Sequence, residues 1–153
     1  MLHSYTRIFI HLVWAVKNRE KLITKDLRPV LRKHILEYSK TRNISIDVLN
    51  VQPDHVHILL LLSSEQTLEE TVQLLKGESS HWVNHEKLIP QKFAWQRGYG
   101  AFSISPSHYD SVKSYITNQD EHHRKKTFME EYESILKKYG FETSVPALAE
   151  VEK

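Results

Sequence analysis

Apolar and polar positions alternate in different periods along this chain, and the changes of period divide it into elements. Tyr5 to Val16 is dense in β-branched and aromatic residues and predicts a strand. Thr24 is a good N-cap, and Leu27, Val30, Leu31, Ile35 and Tyr38 then recur at helical spacing to about Arg42. Ile44, Ile46 and Val48 alternate with polar neighbours, which predicts a strand over Ile44 to Val51. Gln52-Pro53-Asp54 reads as a turn, and His55 to Leu62 as a second strand, apolar enough to lie centrally in a sheet. These two strands are expected to form a hairpin. Thr67 and Glu70 form a capping box for a helix that carries Val72, Leu74 and Leu75 to about Val83.

Ala94 to Ser105 holds Gly98 and Gly100 among aromatics, which suggests a strand with a bulge or a close backbone approach. Ser107 is expected to cap a helix holding Val112, Tyr115 and Ile116. A last helix, about Phe128 to Tyr139, ends at Gly140, a residue suited to the left-handed position after a helix. Strand, helix, strand, strand, helix, strand, then extra helices is the split β-α-β-β-α-β order of an α+β, ferredoxin-like fold. That fold hosts many functions and decides none of them. The expected organisation is one domain over residues 1–141, with a flexible tail over residues 142–153 that shows no periodicity.

Composition narrows the chemistry. There is no cysteine among the 153 residues, which excludes disulfides and thiolate metal sites. Met1 to Thr6 lacks a signal-peptide pattern, and the longest apolar run, Ile58 to Leu62, is far too short to span a bilayer. A cytoplasmic protein without membrane association is the expectation. The net charge of +2 says little, but Met1 to Asn43 carries 10 Lys/Arg against 3 Asp/Glu. Such a basic third suits either phosphate binding or a solvated helix face. Lys17, Arg19, Lys21, Arg28, Arg32 and Lys33 are its candidates for phosphate contacts.

Three motifs carry candidate chemistry. In Pro53-Asp54-His55-Val56-His57, strand geometry puts His55 and His57 on one face, a pairing that suits a divalent metal, and turns Val56 to the other. Asp54 could orient an imidazole or be a plain turn residue. In Tyr115-Ile116-Thr117-Asn118-Gln119, Tyr115 and Gln119 are four apart and share a helix face. That places a phenol beside an amide oxygen able to serve as a third, hard ligand, while the bland alternative is a packed ring. Two imidazoles and such an oxygen suit Mg²⁺ or Mn²⁺. A metal so held keeps positions open for phosphate oxygens, which would let a phenol of ordinary pKa near 10 attack phosphorus. Trp95-Gln96-Arg97-Gly98-Tyr99-Gly100-Ala101-Phe102 could stack on unpaired bases or simply fill the core. His11 in the first strand could face the site or be packed.

Taken together with His11-Leu12-Val13-Trp14 and with Glu121-His122-His123, these motifs resemble the single-tyrosine HUH transposases of the insertion-sequence-200/605 type, including relatives associated with repetitive extragenic palindromes. The resemblance covers about His3 to Tyr139. It implies His55 and His57 as paired metal ligands, Gln119 as the third and Tyr115 as the nucleophile. It further implies homodimers that recognise hairpins in single-stranded DNA and cleave to a 5′-phosphotyrosine and a free 3′-OH, with Tyr115 acting in its own subunit or in the other. His123, four residues beyond Gln119, rivals it as third ligand or as a phosphate contact. Other readings are a domesticated palindrome-processing nuclease of the same fold, a non-catalytic ferredoxin-like nucleic-acid-binding module, and a structural metal protein.

Overall fold

A computed structural model describes residues 3–123 and 125–142. Its strands are β1 (Phe9–Ala15), β2 (Ser45–Val51), β3 (His55–Leu61) and β4 (Gly100–Ile104), and its helices are α1 (Leu27–Thr41), α2 (Leu68–His85), α3 (Tyr109–Thr117), α4 (Gln119–His122) and α5 (Phe128–Lys138). The strands form one antiparallel sheet in the order β2-β3-β1-β4, with β2 and β3 as the expected hairpin. This is the ferredoxin-like order anticipated from the sequence, followed by additional C-terminal helices. The tail beyond Glu142 lies outside the described residues.

Both faces of the sheet are covered, which is why β3 reads as an unbroken apolar run. On one face Leu12, Trp14, Val16, Val56, Ile58 and Leu60 pack with Leu31 and Ile35 of α1 and Val72 and Leu75 of α2. Each such side chain withdrawn from water contributes roughly 2 kcal/mol. The opposite face is split. Val13, Ala15 and Phe102 meet Phe128 and Tyr132 of α5, while Leu59 and Ile104 meet Ile116 of α3. His11, His55 and His57 share this second face with them by the period-2 alternation.

Several expectations need correction. β1 starts at Phe9 rather than Tyr5, because Phe9 is already opposite Leu61 and Ile104, the last residues of β3 and β4. Upstream of Phe9 the Ile8 carbonyl still accepts from Leu62 N–H at 2.8 Å, but β3 and β4 have ended and Tyr5 is exposed. The simple alternation in β2 fails at a register shift between Ile46 and Val48. After this bulge Leu49 and Val51 face α1, whereas Val48 packs toward α3. Ser107 does not cap α3. Pro106 starts a 3₁₀ turn over Pro106–His108, and Ser105 and Ser107 instead contact Nδ1 of His108 at 2.7 and 3.3 Å.

Other local signals hold. The Oγ1 of Thr24 accepts from the backbone N–H of Leu27 at 3.1 Å. Thr67 and Glu70 make the reciprocal capping box. At the end of α5, Phe141 N–H donates to the Leu136 carbonyl and Gly140 N–H to that of Lys137, both at 3.0 Å, with Gly140 at φ 81°. This is a Schellman ending, which Gly adopts without a Cβ penalty.

Candidate metal and nucleophile site

The site is assembled from β1, β3, the α3–α4 segment and α5. Pro53-Asp54 closes the β2–β3 hairpin and delivers His55 as the first residue of β3, opposite Ala15. His57 follows on the same face, opposite Val13 on one side and Asn50 on the other. Both imidazoles are fully buried, and Val56 points into the opposite core as expected.

Asp54 orients His55. Its carboxylate lies 2.6 Å from Nδ1, so Nδ1 carries the proton and Nε2 presents its lone pair. That buried Nε2 has no hydrogen-bond partner among the described residues. It lies 3.6 Å from Oε1 of Glu131. His57 is held from both ends: its Nε2 is 2.9 Å from Glu131 Oε1, and its Nδ1 is 2.8 Å from Nε2 of His11. His11 is therefore both packed and turned toward the site, with 5% of its surface exposed.

Tyr115 is half-buried on α3, and its hydroxyl donates to Oε2 of Glu131. Its ring centroid is 6.0 Å from that of His57 in the same chain. The continuous helix expected through Gln119 is interrupted. Asn118 leaves helical geometry at φ −95°, ψ 29°, and Gln119 opens α4. Gln119 is nonetheless fully buried beneath the site. Its amide nitrogen donates to the Tyr115 carbonyl at 3.3 Å, and its oxygen is 2.9 Å from Nε2 of His123. That nitrogen is also 3.4 Å from Glu131 Oε1.

His55, His57, His123 and Glu131 each offer one ligand atom, and the four atoms lie within 4.8 Å of one another. The structure thus brings His55, His57, His123 and Tyr115 together around one further residue, Glu131, with Gln119 reaching the group through His123. A signal for it exists in hindsight. Phe128, Glu131, Tyr132 and Ile135 stand at i, i+3, i+4 and i+7, so Glu131 is a carboxylate inside an apolar helix stripe. Such a residue is buried only with partners.

The electrostatics follow from burial and these contacts. Burial draws the His11 pKa down to about 3 and that of His57 to about 4, so both are neutral near pH 7. Burial, then the hydrogen bond to Glu131, pushes the Tyr115 phenol up from its ordinary value. Burial alone would raise Glu131, but hydrogen bonds from His123, His57 and Tyr115 outweigh it and hold the carboxylate well below its usual range. The donor set fits a divalent cation. Three imidazoles and a buried carboxylate converge, and the lone pair of His55 Nε2 is unmatched.

The segment entering the site from β1 is basic. A 3₁₀ turn over Lys17–Arg19 follows β1, and Asn18 and Arg19 have φ of 55° and 54°. Arg19 reaches Sδ of Met129 on α5 at 3.4 Å. Val16 N–H donates to the Asp54 carbonyl at 2.8 Å, so this turn adjoins the histidine end of the sheet. Lys17 and Lys21 are exposed there. Arg28 and Arg32 are otherwise engaged: their Nε atoms donate to the carbonyls of Val51 and Leu49 on the edge strand β2. Trp95 and Phe102 are core residues, Trp95 donating to Oγ of Ser79 at 2.8 Å, so the core-filling reading holds for both.

A family model described as "Transposase IS200 like" matches residues 4–119. The chain belongs to the IS200-like transposase family. Within that family it is 25% identical over 114 residues to the ISDra2 transposase TnpA of Deinococcus radiodurans, covering 71% of this chain and 81% of the relative. Among solved structures, a candidate transposase from Deinococcus radiodurans superposes with a TM-score of 0.63 at 22% identity, covering 78% of this chain and 95% of the other. A REP-associated tyrosine transposase bound to a REP hairpin gives 0.60 at 19% identity, covering 80% and 73%. The two structures share the fold of this IS200-like transposase. No helix among its described residues is long and apolar enough to cross a membrane.

Proposed function

We propose that this IS200-like transposase cleaves and rejoins single-stranded DNA through a 5′-phosphotyrosine on Tyr115, with His55, His57 and Gln119 holding Mg²⁺ or Mn²⁺. The observation that carries the reading is the convergence of the unpartnered Nε2 of buried His55 and the hydroxyl of Tyr115 on the same carboxylate. The bound ion would polarise the scissile phosphate and stabilise the charge that develops on it. Tyr115 Oη forms the bond to phosphorus, the P–O3′ bond breaks, and the proton lost by the phenol balances the one gained by the departing 3′-OH. The phosphotyrosine retains the bond energy, so a 3′-OH can reverse the step and rejoin the strand.

Asp54 and His11 position the two imidazoles, the role that partners of metal-bound histidines commonly take. The exposed Lys17 and Lys21 beside the histidine end of the sheet suit a DNA backbone entering the site. A hairpin as the recognised element is supported by the REP-associated neighbour, which is bound to one. That likeness also keeps a palindrome-processing host role beside mobilisation, since the chemistry would be the same. All site groups, Tyr115 included, reach one another within one chain, which favours attack in cis. A homodimer in the cytoplasm, built on a catalytic domain over residues 1–141, completes the proposal.

The test uses single-stranded and duplex oligonucleotides from the DNA flanking the gene, each with a hairpin-forming sequence. Cleavage of the single strand in Mn²⁺ or Mg²⁺, abolished by EDTA and by His55→Ala, is the expected outcome. Tight binding that EDTA leaves unchanged, with no cleavage, would replace the enzyme with a non-catalytic binding module.

A further inference from the structure

Glu131 stands outside every motif that marks this site, yet it meets His55, His57, His123 and Tyr115. It is 4% exposed, and among the described residues its ion-pair partners are the imidazoles of His55, His57 and His123. No lysine or arginine pairs with it there. A carboxylate withdrawn from water whose ion-pair partners are imidazoles rather than lysine or arginine is well matched to a metal ion. A divalent cation between it and the imidazoles would supply the missing charge.

We infer that Glu131 of α5 is an anionic ligand of the metal held by His55 and His57, and that its other oxygen fixes Tyr115 beside that metal. The inference rests on the metal site proposed above and adds to it a ligand from a different helix. The distances support it. Donor atoms sharing one ion at about 2.1 Å stand roughly 3.0 to 3.5 Å apart. The Nε2 atoms of His57, His123 and His55 stand 2.9, 3.4 and 3.6 Å from Glu131 Oε1. Oε1 faces the imidazoles while Oε2 accepts the Tyr115 hydroxyl, so one carboxylate addresses both.

A ligand on α5 has a mechanical consequence. α5 meets the sheet through the small cluster of Phe128 and Tyr132 with Val13, Ala15 and Phe102, and Tyr139 just past its end donates to the Ser103 carbonyl at 3.0 Å. An ion bridging Glu131 to β3 would clamp this helix, and with it the orientation of the Tyr115 hydroxyl. Metal binding and nucleophile placement would then be one event rather than two.

The experiment is Mn²⁺ titration of the full chain without DNA, by calorimetry, for wild type, Glu131→Gln and His55→Ala. It is paired with amide hydrogen exchange of wild type with and without Mn²⁺. Expected are a loss of affinity of at least about tenfold in Glu131→Gln, near-complete loss in His55→Ala, and slower exchange across residues 128–138 when Mn²⁺ is bound. Unchanged affinity in Glu131→Gln with loss in His55→Ala would overturn the role of Glu131 and leave the metal site standing. No Mn²⁺ binding by wild type would overturn both. The exchange measurement needs no variant: Mn²⁺ protection confined to β3, with α5 unaffected, would overturn the inference even if Glu131→Gln misfolded.

Discussion

Glu131 and Asp54 hold the two histidines of β3 from opposite directions, and the contrast separates their roles. The Asp54 carboxylate meets the far nitrogen of His55, at 2.6 Å, and so acts by orienting the ring. Asp54→Asn is expected to weaken Mn²⁺ affinity about 10- to 100-fold without abolishing it, the usual range for such a partner. Equilibrium titration would show this, and an affinity equal to wild type would leave Asp54 as a turn residue. His55, His57, Tyr115 and Gln119 were all legible in the sequence, because each belongs to a short motif with a defined spacing. Glu131 was not, because its relation to Tyr115 exists only after α5 folds back across the sheet. His11 was legible as a candidate, but its 2.8 Å contact with His57 depends on the register of β1 against β3.

At the scale of elements, Gly100 marks where α5 presses on the sheet. A Cβ there would lie 2.8 Å from Cε2 of Phe102 and 2.8 Å from Oη of Tyr132. Gly100→Ala is therefore expected to destabilise the fold by about 1–3 kcal/mol, the range for overpacking a filled site. Urea denaturation would show it as a lower midpoint at unchanged slope, and an unchanged midpoint would mean that the two rings move aside freely. The close approach was anticipated from the glycines among aromatics, though its partner on α5 was not. Helix caps were equally readable at Thr67 and Gly140, where the whole motif is local. The breaks at Asp47 in β2 and at Asn118 between α3 and α4 were not. A bulge is decided by what the strand must pack against on both faces, and that lies elsewhere in the chain.

For the whole molecule, the strand order followed from the succession of periods, and the burial of both sheet faces explains why β3 lacks alternation. The site is expected to make the fold acid-sensitive. His11 and His57 have folded pKa values near 3 and 4, against an ordinary 6.5, so the unfolded chain takes up protons first as the pH falls. Stability is fully present above about 6.5 and is lost as the pH drops toward 4, by roughly 1 kcal/mol per pH unit for each histidine. Glu131, held below its usual range, adds to the loss once the pH passes below the ordinary carboxylate value of 4.5. Thermal unfolding in EDTA at pH 7.5, 5.5 and 4.5 should show a falling Tm, with a shallower fall in His11→Asn. A flat profile would contradict the burial of two neutral imidazoles.

The proposed DNA binding belongs to this scale too. Replacing Lys17 and Lys21 together with Ala should weaken binding to all single strands alike and reduce the slope of log affinity against log salt by about 1 to 2. A loss confined to one sequence would place these residues at the bases instead.

The central claim is that Tyr115 is the nucleophile. The most direct measurement is peptide mass spectrometry after incubation of the full chain with a hairpin-forming single strand in Mn²⁺. The expected result is a nucleotide mass attached at Tyr115 through its 5′-phosphate, absent in EDTA and absent in Tyr115→Phe. A covalent adduct that persists in Tyr115→Phe, or that maps to another tyrosine of the chain, would contradict it.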